Sequence, residues 1–202
     1  MSLPRIIGFS GSPRRPSKTR SLVETVAAKV AEHRQVRLDI YDLLDAGPGL
    51  GAALQRKDLT LPAARIIDAI EQADALIVGT PVYKGAYTGL FKHVFDLVDA
   101  RALVGKPVVI TATGGGPRHA LVVEHALRPL FGFFEALAAP TAVYASDAEF
   151  ADGQLADAGV LARAYAAAQQ LADLLGEVKS ADVPLETGTA DLHLAGRRTA
   201  RG

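Results

Sequence analysis

Apolar positions along the chain alternate between two spacings. Short apolar runs occur at residues 5–10 (Ile6, Ile7, Phe9), 75–78 and 108–113, and each leads into a turn rich in Gly, Ser, Pro or Thr. Such runs predict strands, and 75–78 and 108–113 read as buried on both faces. Val36, Leu38 and Ile40 alternate with polar residues, which predicts a strand with one face more exposed. Residues 141–145 supply a fifth strand. Between these runs the apolar spacing is helical. Leu22, Val23, Val26, Ala27 and Val30 form one stripe, and Ile66, Ile67 and Ile70 another. Leu90, Phe91, Val94, Phe95 and Val98 make the clearest amphipathic stripe. A further helix is expected over about 119–137. Leu161, Tyr165, Ala168, Ala172 and Leu175 line the last one. Residues 45–61 read as an excursion loop. Five strands alternating with helices predict an α/β domain with a parallel sheet covered on both faces. Past Gly176 the helical stripe stops, so the domain is expected over 1–176, with a polar tail over 177–202 that is either loose or an arm onto a partner subunit.

Composition narrows the function. Lys plus Arg and Asp plus Glu number 22 each, so no net charge draws the chain to nucleic acid or an anionic membrane. There is no cysteine, which excludes disulfides, thiolate metal sites and a Cys nucleophile. The amino terminus lacks the plan of a signal peptide, and no apolar run approaches the roughly 18 residues of a membrane helix. A soluble, cytoplasmic protein is expected. No His-Glu-x-x-His or Gly-x-Ser-x-Gly pattern occurs, which sets aside zincin and hydrolase chemistry.

Ligands of an open parallel sheet bind beyond the carboxyl ends of its strands, and three loops there have unusual composition. The first, 10–21, holds Ser10, Ser12, Ser17, Ser21 and Thr19 with Arg14, Arg15, Lys18 and Arg20. Hydroxyls, cations and a helix amino terminus together suit a phosphate; a polar turn with a helix cap is the plainer alternative. The loop is neither a Walker A motif nor a dinucleotide fingerprint. The second, 80–89, places Tyr83 and Tyr87 among glycines, which suits a planar ring, or else a turn whose tyrosines cover the core. The third, Thr113-Gly114-Gly115-Gly116, offers open backbone amides for ring carbonyls, though a flexible turn looks the same.

Taken in order, Gly11-Ser12-Pro13-Arg14…Ser17…Ser21-Leu22, Gly79-Thr80-Pro81-Val82-Tyr83…Tyr87-x-Gly89…Lys92 and Ala112-Thr113-Gly114-Gly115 resemble the NAD(P)H-dependent FMN reductases. Within these the chain is most similar to the reductases that supply alkanesulfonate monooxygenases, a likeness repeated at His119-Ala120-Leu121…Ala126-Leu127-Arg128-Pro129. The resemblance spans about 4–175. It implies a flavodoxin-like three-layer sandwich with a five-stranded parallel sheet of order 2-1-3-4-5, in a homodimer or homotetramer. It implies that Ser10, Ser12, Arg14, Ser17, Lys18, Thr19 and Arg20 surround the FMN phosphate, that Pro81, Val82 and Tyr83 flank the isoalloxazine, and that Thr113, Gly114, Gly115 and Gly116 line its pyrimidine edge.

The implied activity is transfer of hydride from C4 of NAD(P)H to N5 of FMN. FMN carries the chemistry, so no acid–base side chain is required. Reduced FMN would pass to a flavin-dependent monooxygenase. A flavin-retaining quinone or azo reductase and a non-enzymatic electron carrier are the alternatives. The Lys92 and Asp96 pair, four apart on one helix, reads as an exposed pair or as part of a subunit contact. Phe131, Phe133 and Phe134 are not expected to share one core stripe. His125 stands where many of the sulfonate-system reductases carry a tyrosine inserted in a π-helical turn. The large apolar residues break off between Val123 and Leu127, as a one-residue insertion would cause. The expectation is a π turn with His125 aimed into a subunit interface near the flavin; the alternative is an ordinary helix with His125 exposed.

Overall fold

A computed structural model describes residues 3–178. The expected tail, apart from its first two residues, lies outside the described residues.

Strand β1 (Arg5–Ser10) leads into helix α1 (Lys18–His33), and β2 (Arg37–Asp42) follows. Helix α1 starts where Ser17, in extended conformation, accepts a hydrogen bond from the Arg20 N–H at 3.2 Å. That bond satisfies one of the free amides of the first turn. The excursion after β2 contains two one-turn helices, α2 (Leu43–Ala46) and α3 (Gly49–Ala52). Helix α4 (Leu61–Gln72), strand β3 (Ala75–Tyr83), the two-residue β4 (Ala86–Tyr87), helix α5 (Gly89–Asp96) and strand β5 (Pro107–Gly114) come next. A π turn (Val123–Leu127) runs into α6 (Arg128–Phe133). Strands β6 (Leu137–Ala138) and β7 (Val143–Ser146), the hairpin β8 (Phe150–Ala151) with β9 (Gln154–Leu155), and helix α7 (Ala158–Val178) complete the described chain.

The main sheet is parallel in the order β2-β1-β3-β5, and both β6 and β7 pair with β5 on its far side. The short β4 turns back antiparallel onto β3. The expected order 2-1-3-4-5 therefore holds, with the fifth position split in two. Pro140 falls between the two pieces. Proline has no N–H to give to a ladder, so the strand breaks there. Other groups take over the freed backbone: Arg128 donates to the carbonyls of Ala139 and Pro140 at 3.1 and 3.2 Å, and Gln170 accepts from Thr141 N–H at 2.8 Å.

Alternate strand residues serve opposite faces, as a two-residue period requires. Ile6, Ala75, Ile77, Val109 and Val143 pack under α1 and α7. Ile7, Phe9, Leu76, Val78, Val108 and Ile110 pack under α4, α5 and α6. On that second face Phe91 stacks on Phe9 at 6.0 Å, and Phe95 meets Phe131 edge-on at 5.0 Å. Each such buried side chain contributes about 1.5–3 kcal/mol relative to exposure. Phe131 and Phe134 are buried while Phe133 is 73% exposed, so the three phenylalanines do divide between core and surface.

The expected helix over 119–137 is corrected in detail. The segment is a 3₁₀ turn (Pro117–His119), the π turn and the short α6, and Leu137 belongs to the sheet. Pro129 lacks the N–H that would continue an α-helical ladder, and the Arg128 N–H reaches back five residues to the Val123 carbonyl. Within the segment Leu121, an apolar residue of the expected helix, is 63% exposed. His125 does lie inside a π turn, and its side chain is exposed in the single chain.

Candidate functional site

Strands β1, β3, β5 and β7 all end on one side of the sheet, and the loops leaving β1, β3 and β5 converge there on a cavity of about 280 Å³. The first loop lends Ser12, Arg14, Ser17, Lys18 and Thr19. The carboxyl end of β3 lends Pro81, Val82 and Tyr83, and the end of β5 with the turn after it lends Thr113, Gly114 and Gly115. Three of the fourteen residues singled out from the sequence are not in its wall. Ser10 lies beneath it, fully buried, with its hydroxyl accepting from the Ser12 N–H at 3.4 Å. Arg20 points away toward Glu24 and Asp42, at 2.8 and 2.9 Å. Gly116 follows the lining glycines, and its carbonyl accepts the Tyr144 hydroxyl at 2.6 Å.

The cations of the first loop have different surroundings. Asp42, at the end of β2 and fully buried, binds Arg15 through both carboxylate oxygens at 2.7 and 2.9 Å and Arg20 at 2.9 Å. Its Oδ1 also accepts the Leu44 and Asp45 amides, capping α2. Asp45 binds Arg15 as well, at 2.6 Å. Hydrogen bonds donated to Asp42 and Asp45 hold the Arg15 guanidinium well above its ordinary pKa. Burial works against the Arg20 charge, but its bonds to Glu24 and Asp42 prevail and raise its pKa too. Burial likewise opposes ionisation of Asp45, and Arg15 with the Asp42 amide outweighs it, leaving that carboxyl below its usual range. Lys18 is held by Asp147 at 2.7 Å. Arg14 has no carboxylate partner among the described residues, although it lines the cavity. Arg15 and Arg20 therefore shape the loop, while Arg14 and Ser17 keep donors for an anion and the Ser12 hydroxyl donates only at 3.5 Å to the Arg14 carbonyl.

The opposite wall is bare backbone. Gly115 and Gly116 have open space where a side chain would stand, the nearest atom to a Cβ on Gly115 being Asp147 Oδ2 at 3.9 Å. Gly114 is constrained from behind: a Cβ there would sit 2.5 Å from the Tyr144 hydroxyl. Burial pushes the Tyr144 phenol upward despite its bond to Gly116, so it remains a donor that fixes the glycine turn. Tyr83 is 45% exposed and free of the core, whereas Tyr87 packs on Phe91 at 6.1 Å. One tyrosine is thus left for a ligand and the other covers the core. The Thr19 and Thr113 hydroxyls, 2.6 Å apart, bind the first loop to the third. One end of the cavity offers donors and a free cation. The other offers a flat, unobstructed edge.

Sequence reasoning missed Asp42, Tyr144 and Asp147. All three stand in or just beyond β2 or β7, so the rule that ligands gather at strand carboxyl ends was the available signal. A larger hollow of about 510 Å³ lies between α5 and α6, lined by Phe95, Val98, Phe133 and Phe134 with the Lys92–Asp96 pair at its edge. Its walls are largely apolar, whereas hydroxyls, a cation and open glycines gather at the smaller cavity. No group of three or more His, Asp or Glu side chains among the described residues is placed to hold a metal.

A family profile described as NADPH-dependent FMN reductase matches residues 4–150. The chain is 46% identical over 177 residues to NADH-dependent FMN reductase SfnF of Pseudomonas fluorescens (strain Pf0-1), spanning 87% of this chain and 95% of that protein. It is 41% identical over 172 residues to FMN reductase (NADPH) of Pseudomonas aeruginosa PAO1, spanning 85% of this chain and 92% of the relative. Among solved structures, the apo form of an NADH:FMN oxidoreductase (EMOB) superposes with a TM-score of 0.75 at 31% identity, covering 84% of this chain and 88% of the other.

Proposed function

The chain belongs to the NADPH-dependent FMN reductase family, and from that premise we propose that it reduces FMN with a nicotinamide nucleotide and releases reduced FMN to a flavin-dependent sulfonate monooxygenase. The observation that carries this reading is the two-ended cavity, with Arg14, Ser12 and Ser17 at one end and Tyr83 with Gly114 and Gly115 at the other. FMN fits that layout: a phosphate for the donors, and a flat ring whose carbonyl edge meets open amides. When bound, FMN supplies the redox chemistry by accepting hydride from the nicotinamide. The chain's own residues bind and orient. Ser12, Arg14, Ser17, Lys18 and Thr19 hold the phosphate, with the first-turn amides of α1 adding donors and a favourable dipole. Pro81, Val82 and Tyr83 set the ring plane. The glycine turn at Gly114 and Gly115 would lie along the ring's polar edge and favour negative charge there. Ser10, Arg20 and Gly116 act from behind the wall.

A homo-oligomer is part of the proposal. The exposed Phe133 beside the 510 Å³ hollow is apolar surface of the kind that subunit contacts cover. His125, exposed on its π turn, is proposed to face such a contact. Size-exclusion chromatography with light scattering tests this. A cytoplasmic location is also proposed; no described helix is long and apolar enough to cross a membrane.

The deciding experiment is to titrate FMN into the apoprotein and then assay NADH and NADPH with free FMN. Nucleotide oxidation in proportion to added FMN supports the reading. Oxidation only with a quinone or azo acceptor would make the chain a flavin-retaining reductase, and none at all would make it a carrier.

A further inference from the structure

Each of the three loops that meet at the cavity carries a cation with no carboxylate partner among the described residues: Arg14, Lys84 and Arg118. The remaining cations of the first loop are neutralised, Arg15 and Arg20 by Asp42 and Lys18 by Asp147. Arg14 lines the cavity assigned to FMN. Arg118 does not. It lines a separate cavity of about 300 Å³ together with Gly85, His119 and His125, and the two cavities share no residue. Lys84 immediately precedes Gly85 and is exposed. Glu124, the nearest carboxylate in sequence, is engaged by Arg128 at 2.5 and 3.0 Å and leaves this positive charge uncompensated.

One FMN phosphate accounts for one of these cations. Arg118 and Lys84 stand just past the glycine turn and just past Tyr83, the segments that would face the flavin ring. Positive charge kept unpaired there costs stability through self-repulsion and suits a second anion. The hydride donor is itself an anion, with its diphosphate tethered to the ring that must meet the flavin.

We propose that the cavity between Gly85 and the Arg118–His125 segment seats the diphosphate of the nicotinamide dinucleotide, with Arg118 and Lys84 as its counter-charges. This rests on the reductase reading above. The small Gly85 leaves room on one side, and His119 lines the other. Arg118 presents a planar fork suited to phosphate oxygens, and Lys84 a point charge.

The test compares Arg118→Ala, Lys84→Ala and the double variant with the parent, using Arg101→Ala as a control that removes an exposed charge elsewhere. The KM for NADH and NADPH should rise about tenfold or more in the double variant, the scale of a lost charge-assisted contact. ADP, tested as a competitive inhibitor, should weaken by the same factor. FMN affinity by fluorescence titration should stay within about twofold, a change too small for a lost charged contact. Reduced nicotinamide mononucleotide, which lacks the diphosphate, should be oxidised equally by parent and variants. An unchanged dinucleotide KM overturns the assignment, as does an equal loss with the mononucleotide. A change of oligomeric state with unchanged KM also overturns it, and gives the groove to a second copy of the chain. A parent that binds FMN but oxidises neither nucleotide overturns the reductase reading and the subsite together. A parent active on dinucleotides whose variants are indistinguishable from it overturns the subsite alone.

Discussion

Thr19 and Thr113 lie 94 residues apart in the chain, yet their hydroxyls meet at 2.6 Å and both residues are buried. The pair joins the first turn of α1 to the end of β5, and so joins the phosphate end of the cavity to its glycine end. Replacing one partner strands the other's hydroxyl away from water. Thr113→Val or Thr19→Val should each cost about 1–3 kcal/mol, whereas the double replacement should recover much of that loss. Urea melts of the three variants measure it, and strict additivity would show that the hydroxyls act independently.

Arg14→Ala and Ser17→Ala should weaken FMN by about tenfold or more while leaving riboflavin nearly unchanged, because charged hydrogen bonds to phosphate contribute about 1.5–3 kcal/mol each. Ser17 also caps α1, so its variant should lose some stability that the Arg14 variant keeps. Equal losses for both flavins would move the phosphate site elsewhere.

Asp42→Asn should act on both stability and binding. The buried carboxylate serves two arginines and two amides, and removing one partner of a buried pair costs about 3 kcal/mol. The phosphate loop should then loosen, with FMN affinity falling more than riboflavin affinity. A denaturant melt and paired flavin titrations read the two effects separately. An unchanged melt would deny Asp42 its anchoring role.

Lys106 gives a pH signature. Burial pushes its ammonium down to about 8 from 10.5, while it donates to the carbonyls of Ile70 and Glu71 at 3.1 and 2.7 Å. Above pH 8 the folded chain releases a proton that the unfolded chain keeps up to about 10.5. The cost of the buried charge is therefore full below pH 8 and fades as pH rises to 10.5. The melting temperature of the parent should climb relative to Lys106→Met across that window. A flat difference would place the lysine's ionisation outside it.

Deleting His125 should leave the protein folded. The Arg128 amide already reaches back five residues through a π turn, so the deletion lets an α-helical bond form. The expected loss is small, about 4 °C or less, as for a change near 1 kcal/mol. In an ordinary helix the same deletion would rotate all that follows by about 100°. Gross unfolding of the variant would therefore show that the π turn does not accommodate it. A change in flavin retention or oligomeric state would connect the turn to the proposed interface.

The sequence by itself determined the alternation of strands and helices, because burial on two faces of a parallel sheet leaves a pattern that local spacing records. Ile6 and Ile7 point to opposite faces, as their adjacency in a strand demands. It also located the three ligand loops, because hydroxyls, cations and glycines concentrated after strands have few structural uses. Residues 119–137 were less legible: Pro129 and the inserted π-turn residue break the helical period, and Leu121 comes out exposed. Only the tertiary structure decided which cations of 10–21 are free. Arg14, Arg15, Lys18 and Arg20 look alike in sequence. Asp42 and Asp147 come from distant strand ends and neutralise three of them. Likewise nothing near Gly114 announces Tyr144, whose hydroxyl stands where a side chain on that residue would. Charge pairing and close approach between segments far apart in the chain depend on the assembled sheet, and local composition carries no record of them.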